Sequence, residues 1–133
     1  KDFARDVQGV LAVKLIRRLC DACRVAYTPT PEMLKKLGIP AGKVEQLYRS
    51  PKPDEVDKPC KECGGIGFRG RTALFEMLVP DDRFRSVLAK TPQMDAVRKA
   101  ARESGMRTMQ EEGILLVARG VTSVPELSRV LKA

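Results

Sequence analysis

Four cysteines in two tight pairs constrain this chain more than any other feature. Cys20-Asp-Ala-Cys23 and Cys60-Lys-Glu-Cys63 read C-x2-C-x36-C-x2-C along 133 residues. Two residues between ligands let a tight turn aim both sulfurs at one point, and two such turns complete a tetrahedral shell of four thiolates. The chain has no histidine, so any closed site must be all cysteine, a donor set that suits Zn2+. The same absence excludes histidine acid–base catalysis and Cys/His nucleophile pairs. The second pair runs on into Gly64-Gly65-Ile66-Gly67. Glycines there permit positive φ and bring backbone N–H groups toward the sulfurs, which offsets thiolate charge.

Two other uses of the cysteines compete. Chains that use four cysteines as disulfides are usually short, secreted and loop-rich. This one carries long helical patterns and opens without the charged and apolar regions of a signal peptide, which favours a reducing compartment. A redox-active C-x-x-C is disfavoured by the duplication of the pair and the lack of a thioredoxin-like context. The reading is therefore a structural Zn2+ held by Cys20, Cys23, Cys60 and Cys63, with no open ligand position; no catalytic residue is assigned. The gap of 36 residues between the pairs exceeds the roughly 15–20 of the simplest zinc ribbons, so a folded module must fill it. Closing such a loop costs on the order of 3 kcal/mol of chain entropy. Zinc binding at about 10–16 kcal/mol in peptide sites offsets that readily.

A hydrophobic share of 43% excludes a disordered tail. No apolar run approaches the roughly 18 residues of a membrane span, so a soluble, untargeted chain is expected. Lys and Arg number 25 against 17 Asp and Glu, a net charge of +8 that raises nucleic acid as a partner. Tryptophan is absent and aromatics make up 5%, too few for base-stacking platforms. The basic residues are interleaved with acids, as in Lys35-Lys36, Arg69 and Arg71, Arg98-Lys99 and Arg102-Glu103. Such spacing reads as solvated faces, so charge alone supports only salt-sensitive, non-specific contact with nucleic acid.

Periodicity then predicts the elements. Phe3, Val7, Val10 and Leu11 make a helical stripe over 3–12, and 14–19 reads as a short strand ending at the first cysteine pair. Thr30-Pro31 opens a short helix closed by Gly38, and Val44, Leu47 and Tyr48 suggest another over 42–48. Three prolines in 50–59 make that stretch an exposed loop. The segment 70–79 is the best strand, ended by Pro80. Four helices follow from 82 to 132: one capped at Asp81-Asp82, one opened at Pro92, and two with capping boxes at Thr108–Glu111 and Ser123–Glu126. The fold class is α+β and mainly helical: a short strand pair with an inserted tetracysteine zinc module, then a four-helix array. The module enters at one strand and leaves at another, so the two strands are expected to pair beneath it.

Cys60-Lys-Glu-Cys-Gly-Gly-Ile-Gly-Phe-Arg-Gly-Arg-Thr-Ala-Leu-Phe-Glu-Met-Leu78 resembles the C-terminal part of the secretion ATPases of type II secretion and type IV pilus assembly. The likeness extends to Gln8–Cys20, Ser104–Gly113 and Ala118–Leu131, and so covers nearly the whole chain in order. In that family a RecA-like ATPase domain carries a tetracysteine zinc module near its end, followed by helices, and the four cysteines here match the family's positions one by one. The resemblance implies three segments: 1–19 as the end of the ATPase core, 20–69 as the inserted module, and 70–133 as the returning strand with a helical subdomain. It also implies a hexameric ring on the cytoplasmic face of the inner membrane, driving pilin or pseudopilin assembly through a polytopic platform protein. Some positions depart from the family's usual pattern: Asp21 and Lys61 stand where proline is common, and Val13-Lys14 where Gln-Arg is common.

No G-x-x-x-x-G-K-[ST] loop occurs; Pro40-Ala-Gly-Lys43 lacks both the upstream glycine and the following Ser or Thr. ATP and Mg2+ would belong to a core N-terminal to residue 1, and this chain alone should not hydrolyse ATP. It opens within a helical pattern and without Met, which reads as a piece of a longer protein. Arg69 and Arg71, at the module's exit, are candidates for a subunit or membrane-surface contact, beside the plainer reading of a solvated strand edge. The alternative function is a stand-alone zinc ribbon that binds nucleic acid non-specifically. A DnaJ-type chaperone module, suggested by Cys60-x-x-Cys63-x-Gly65-x-Gly67, needs four such repeats, and the Cys20 pair lacks both glycines.

Overall fold

The structure is a computed structural model and describes residues 2–132. In chain order the elements are α1 (Asp2–Asp6), β1 (Val10–Leu19), β2 (Val25–Tyr27), α2 (Pro31–Leu37), β3 (Leu47–Arg49), β4 (Phe68–Leu78), α3 (Asp82–Lys90), α4 (Met94–Glu103), α5 (Met109–Ala118) and α6 (Val124–Lys132). The fold is α+β, with the strands in two two-stranded sheets, β1 with β4 and β2 with β3. Gly9 lies against Leu78, Gly70 against Arg18, and the Cys20 N–H bonds to the Gly67 carbonyl at 3.0 Å. These approaches run in opposite directions along the two strands, so β1 and β4 are antiparallel. Their pairing agrees with the expected strand pair on either side of the cysteine module.

The chain forms two compact units, the first made of residues up to Val13 and Phe75–Glu112, the second of Lys14–Leu74 and Gly113 onward. In the first unit Leu78, Phe84, Ala100 and Ala101 form the core, with Val87, Leu88, Val97 and Met106 packed on it. Asp81 caps α3 by accepting the Phe84 N–H at 2.7 Å, as its position before the apolar stripe predicts. Arg85 donates to the carbonyls of Ala4 and Arg5 at 2.9 and 2.8 Å, which holds α1 on α3.

In the second unit Ile16, Leu47, Leu74 and Val117 are fully buried, and Leu19, Leu127 and Val130 nearly so. Backbone and side-chain bonds tie β1 to the turn before α6: the Leu19 N–H donates to Val121 O at 2.8 Å, and Thr122 Oγ1 donates to Arg17 O at 2.9 Å. That turn needs Gly120 at φ +74°. A Cβ there would sit 2.7 Å from both Arg24 Nη1 and the Tyr48 ring.

Three expected elements differ. The helix over 3–12 is confined to α1, because the residues after Gly9 pair with β4 and become strand; Phe3, Val10 and Leu11 are exposed rather than a buried stripe. Ladder pairing of consecutive N–H and C=O groups outweighs a helical apolar spacing in so short a segment. The helix over 42–48 is not formed. Leu47–Arg49 pairs antiparallel with Val25–Tyr27 in the register Val25↔Arg49, Ala26↔Tyr48 and Tyr27↔Leu47, which buries Leu47. The Ser123–Glu126 capping box is half made. Ser123 Oγ accepts the Glu126 N–H at 3.3 Å, but the Glu126 carboxylate turns away to two arginines. The 50–59 loop is largely exposed as expected, with one 3-10 turn at Pro53–Glu55.

Candidate metal centre

The paired strands bring the two cysteine turns together. Cys20 directly follows β1, Gly67 directly precedes β4, and the two face each other across the end of the ladder. In the first turn the N–H groups of Cys23 and Arg24 both donate to Cys20 O, at 3.3 and 2.9 Å. In the second, Gly64 N–H donates to Cys60 O at 2.8 Å and Ile66 N–H to Cys63 O at 3.4 Å. Gly64, Gly65 and Gly67 take φ of +66°, +87° and +83°, the left-handed conformations that the glycine run anticipates. Ile66, which interrupts that run, turns its side chain to the outside.

The four Sγ atoms all lie within 4.8 Å of one another. Cys20 Sγ is 3.9 Å from Cys60 Sγ, and Cys23 Sγ is 3.7 Å from Cys63 Sγ. A tetrahedron with metal–sulfur bonds of about 2.3 Å has edges of about 3.8 Å, so both separations fit a shared ion. A disulfide needs about 2.05 Å, and all four cysteines are free thiols. Cys20 and Cys63 are buried, while Cys23 and Cys60 are half-buried. The donor set therefore fits a metal ion on residue type, number and spacing.

Local electrostatics separate the thiols. Gly67 N–H donates to Cys63 Sγ at 3.3 Å, and with a second backbone donor from Gly65 it brings the Cys63 thiol down to about 7. Burial first, and then the neighbouring sulfurs, push the Cys23 thiol up to about 12. A divalent ion reverses that second effect by drawing the protons off its ligands.

Several supporting residues carry no signal in the sequence. The 50–59 loop walls the thiol cluster: Pro51, Pro53, Val56 and Pro59 line a cavity of about 160 Å³ together with Cys23, Cys60, Gly65 and Gly67. Arg24, one residue past Cys23, stacks 4.1 Å over the Tyr48 ring and donates to Gly120 O at 2.7 Å. One side chain thus connects the first cysteine turn, the β2–β3 pair and the turn before α6. The three-residue strands that place Tyr48 are too short to leave a periodic pattern. Arg69 and Arg71 are exposed on β4 and do not join the cysteine cluster; Arg69 pairs with Glu62. Arg69 also lines a cavity of about 490 Å³ with Arg18, Asp21 and Glu62.

The family model described as "Type II/IV secretion system protein" matches residues 2–129. The chain is 34% identical over 121 residues to the type IV pilus assembly ATPase PilB of Thermus thermophilus, covering 90% of this chain and 13% of that protein. It is 34% identical over 124 residues to the type II secretion system protein E of Pseudomonas aeruginosa, covering 93% of this chain and 23% of the relative. Against the protein transport protein HofB homolog of Escherichia coli it is 35% identical over 122 residues, covering 92% and 24%. The chain spans less than a quarter of the length of these relatives. No helix among the described residues is long and apolar enough to cross a membrane.

Proposed function

The chain belongs to the type II/IV secretion system protein family, and from that premise we propose that it is the zinc-binding and helical C-terminal segment of a secretion or pilus-assembly ATPase. The observation that carries the reading is the set of four thiols gathered within 4.8 Å of one another at the end of the paired strands of a family member. Cys20, Cys23, Cys60 and Cys63 hold Zn2+ in this reading. Bound zinc supplies a rigid, closed crosslink with no open coordination position. The segment's own role is to shape a surface. ATP and Mg2+ are handled by a core outside these residues, and the whole protein powers pilin or pseudopilin assembly.

The proposed organisation is 1–19 as the end of a RecA-like core, 20–69 as the inserted module, and 70–133 as the returning strand and helical subdomain. One side of each long strand supports it. Leu11 and Val13 alternate along β1 and Phe75 and Met77 along β4, all between 42% and 61% exposed. An exposed apolar strand face calls for cover, and further strands and helices of a larger core would supply it. The proposed partners are neighbouring subunits of a hexameric ring and a polytopic inner-membrane platform protein, with Arg69 and Arg71 as contact residues. The proposed location is cytoplasmic, peripheral to the inner membrane.

Metal analysis of the chain should return about one zinc, and chelation should strip hydrogen-exchange protection from 20–63 before α3–α6. Protection unchanged by chelation would overturn the crosslink. In the full-length ATPase, Cys60→Ser should weaken co-purification with the platform protein; unchanged co-purification rules out the interaction role.

A further inference from the structure

The first compact unit holds six arginines, and four of them are engaged. Arg5 pairs with Asp6, Arg83 with Glu103 and Arg107 with Glu112, while Arg85 donates to two backbone carbonyls. Arg98 and Arg102 are the two of that unit with no such partner among the described residues. They stand four residues apart on α4, the spacing that places side chains on one face. Both line one open cavity of about 560 Å³, with Lys99, Met106, Thr108 and Glu76. Three cations and one carboxylate therefore face a concavity within the size range of small-ligand sites.

The unpaired state is informative because a carboxylate is near. Glu76 lines the same cavity, yet its Oε1 accepts the Met109 N–H at 3.1 Å at the start of α5. Thr108 Oγ1 accepts the Glu111 N–H at 3.2 Å, which leaves its hydroxyl proton to donate. Two guanidinium forks, an ammonium and a hydroxyl together offer more donors than one carboxylate can accept. A phosphoryl group has three terminal oxygens and up to two negative charges, and guanidinium forks match it in geometry. The second oxygen of Glu76 can accept a hydroxyl or amino proton from the rest of such a molecule, and Met106 offers an apolar wall.

We propose that this cavity is a binding site for a small phosphate monoester that carries a hydroxyl or amino donor, with Arg98, Lys99 and Arg102 on the phosphoryl group and Glu76 on the donor. The site does not depend on the metal reading. The same phosphoryl chemistry occurs in a lipid headgroup, and the test separates the two sources.

Ribose 5-phosphate is titrated into the zinc-loaded chain at fixed ionic strength, and the Nε–Hε signals of Arg98 and Arg102 are followed by NMR. Saturable shifts are expected, with Kd raised at least tenfold in R98Q/R102Q. Both side chains are exposed, and circular dichroism should show the helices of that variant intact. K36Q/R119Q removes the same charge from exposed cations elsewhere and should change Kd less than twofold. Shifts that do not saturate, or equal weakening in the two variants, would overturn the site. Binding to vesicles containing phosphatidic acid, whose headgroup is a phosphate monoester, that R98Q/R102Q abolishes, with no response to ribose 5-phosphate, would overturn the soluble ligand in favour of a membrane surface.

Discussion

Glu126 offers the sharpest test of how the second unit is held together. Its side chain is 1% exposed, yet it is a carboxylate between two arginines. Oε1 accepts the Arg17 backbone N–H at 3.2 Å, Arg17 Nε at 3.0 Å and Arg129 Nη2 at 2.6 Å. Oε2 accepts Arg17 Nη2 at 2.7 Å and Arg129 Nε at 2.9 Å. The Arg129 hydrogen bonds, joined by those of Arg17, outweigh burial and hold the carboxyl down to about 2 from an ordinary 4.5. By linkage that depression contributes about 3 kcal/mol at neutral pH.

Glu126→Gln keeps the shape and removes the charge. Breaking a buried pair commonly costs about 3–5 kcal/mol. Here the arginine side chains stay 41% and 58% exposed and can rehydrate. The expected loss is therefore about 2–3 kcal/mol, read by urea unfolding at pH 7 with zinc present. The folded-state value lies below the unfolded one, so this stability is complete above about 4.5 and fades as pH falls toward about 2. The gap between native chain and variant should close over that window. A loss under about 0.5 kcal/mol at pH 7 would refute the reasoning, since surface ion pairs alone give that little.

Two glycines give further tests. A Cβ on Gly113 would lie 2.2 Å from Leu127 Cδ1, so Gly113→Ala should cost about 1–3 kcal/mol in thermal or urea unfolding. Adding Leu127→Ala should then cost less than it does in the native background, because the two changes share one space. A Cβ on Gly67 would lie 2.8 Å from Ser50 Cβ at φ +83°. Gly67→Ala should therefore weaken zinc affinity about tenfold in competition with a chromophoric chelator, in line with about 1–2 kcal/mol for a left-handed non-glycine residue.

Legibility tracks the range of the forces involved. The α2 cap is local: Thr30 accepts the Met33 N–H, Pro31 opens the helix and Gly38 closes it, all on neighbouring turns of chain. The four cysteines are readable for a similar reason, since a two-residue turn aims each pair by itself. Elements that depend on a distant partner are not. Val10 and Leu11 carry a helical spacing and become strand because β4 supplies the ladder, and Leu47 turns to strand because β2 does. Glu126 has the sequence of a capping-box acid, but Arg17 lies 109 residues away in the chain and claims it. The Arg24–Tyr48–Gly120 contact is likewise assembled from three separate segments.

The sequence by itself determined the candidate donor set, its all-cysteine character that follows from having no histidine, the four helices from 82 onward and the family resemblance. Each of these rests on residue type and short spacing, which chain connectivity enforces before folding. Only the tertiary structure decided that the sulfurs gather within 4.8 Å of one another, that prolines wall them, and that two arginines of α4 line a cavity with no partner among the described residues. Those properties depend on distances between segments far apart in the chain, and such distances exist only once the backbone hydrogen bonds and the buried side chains have been paired.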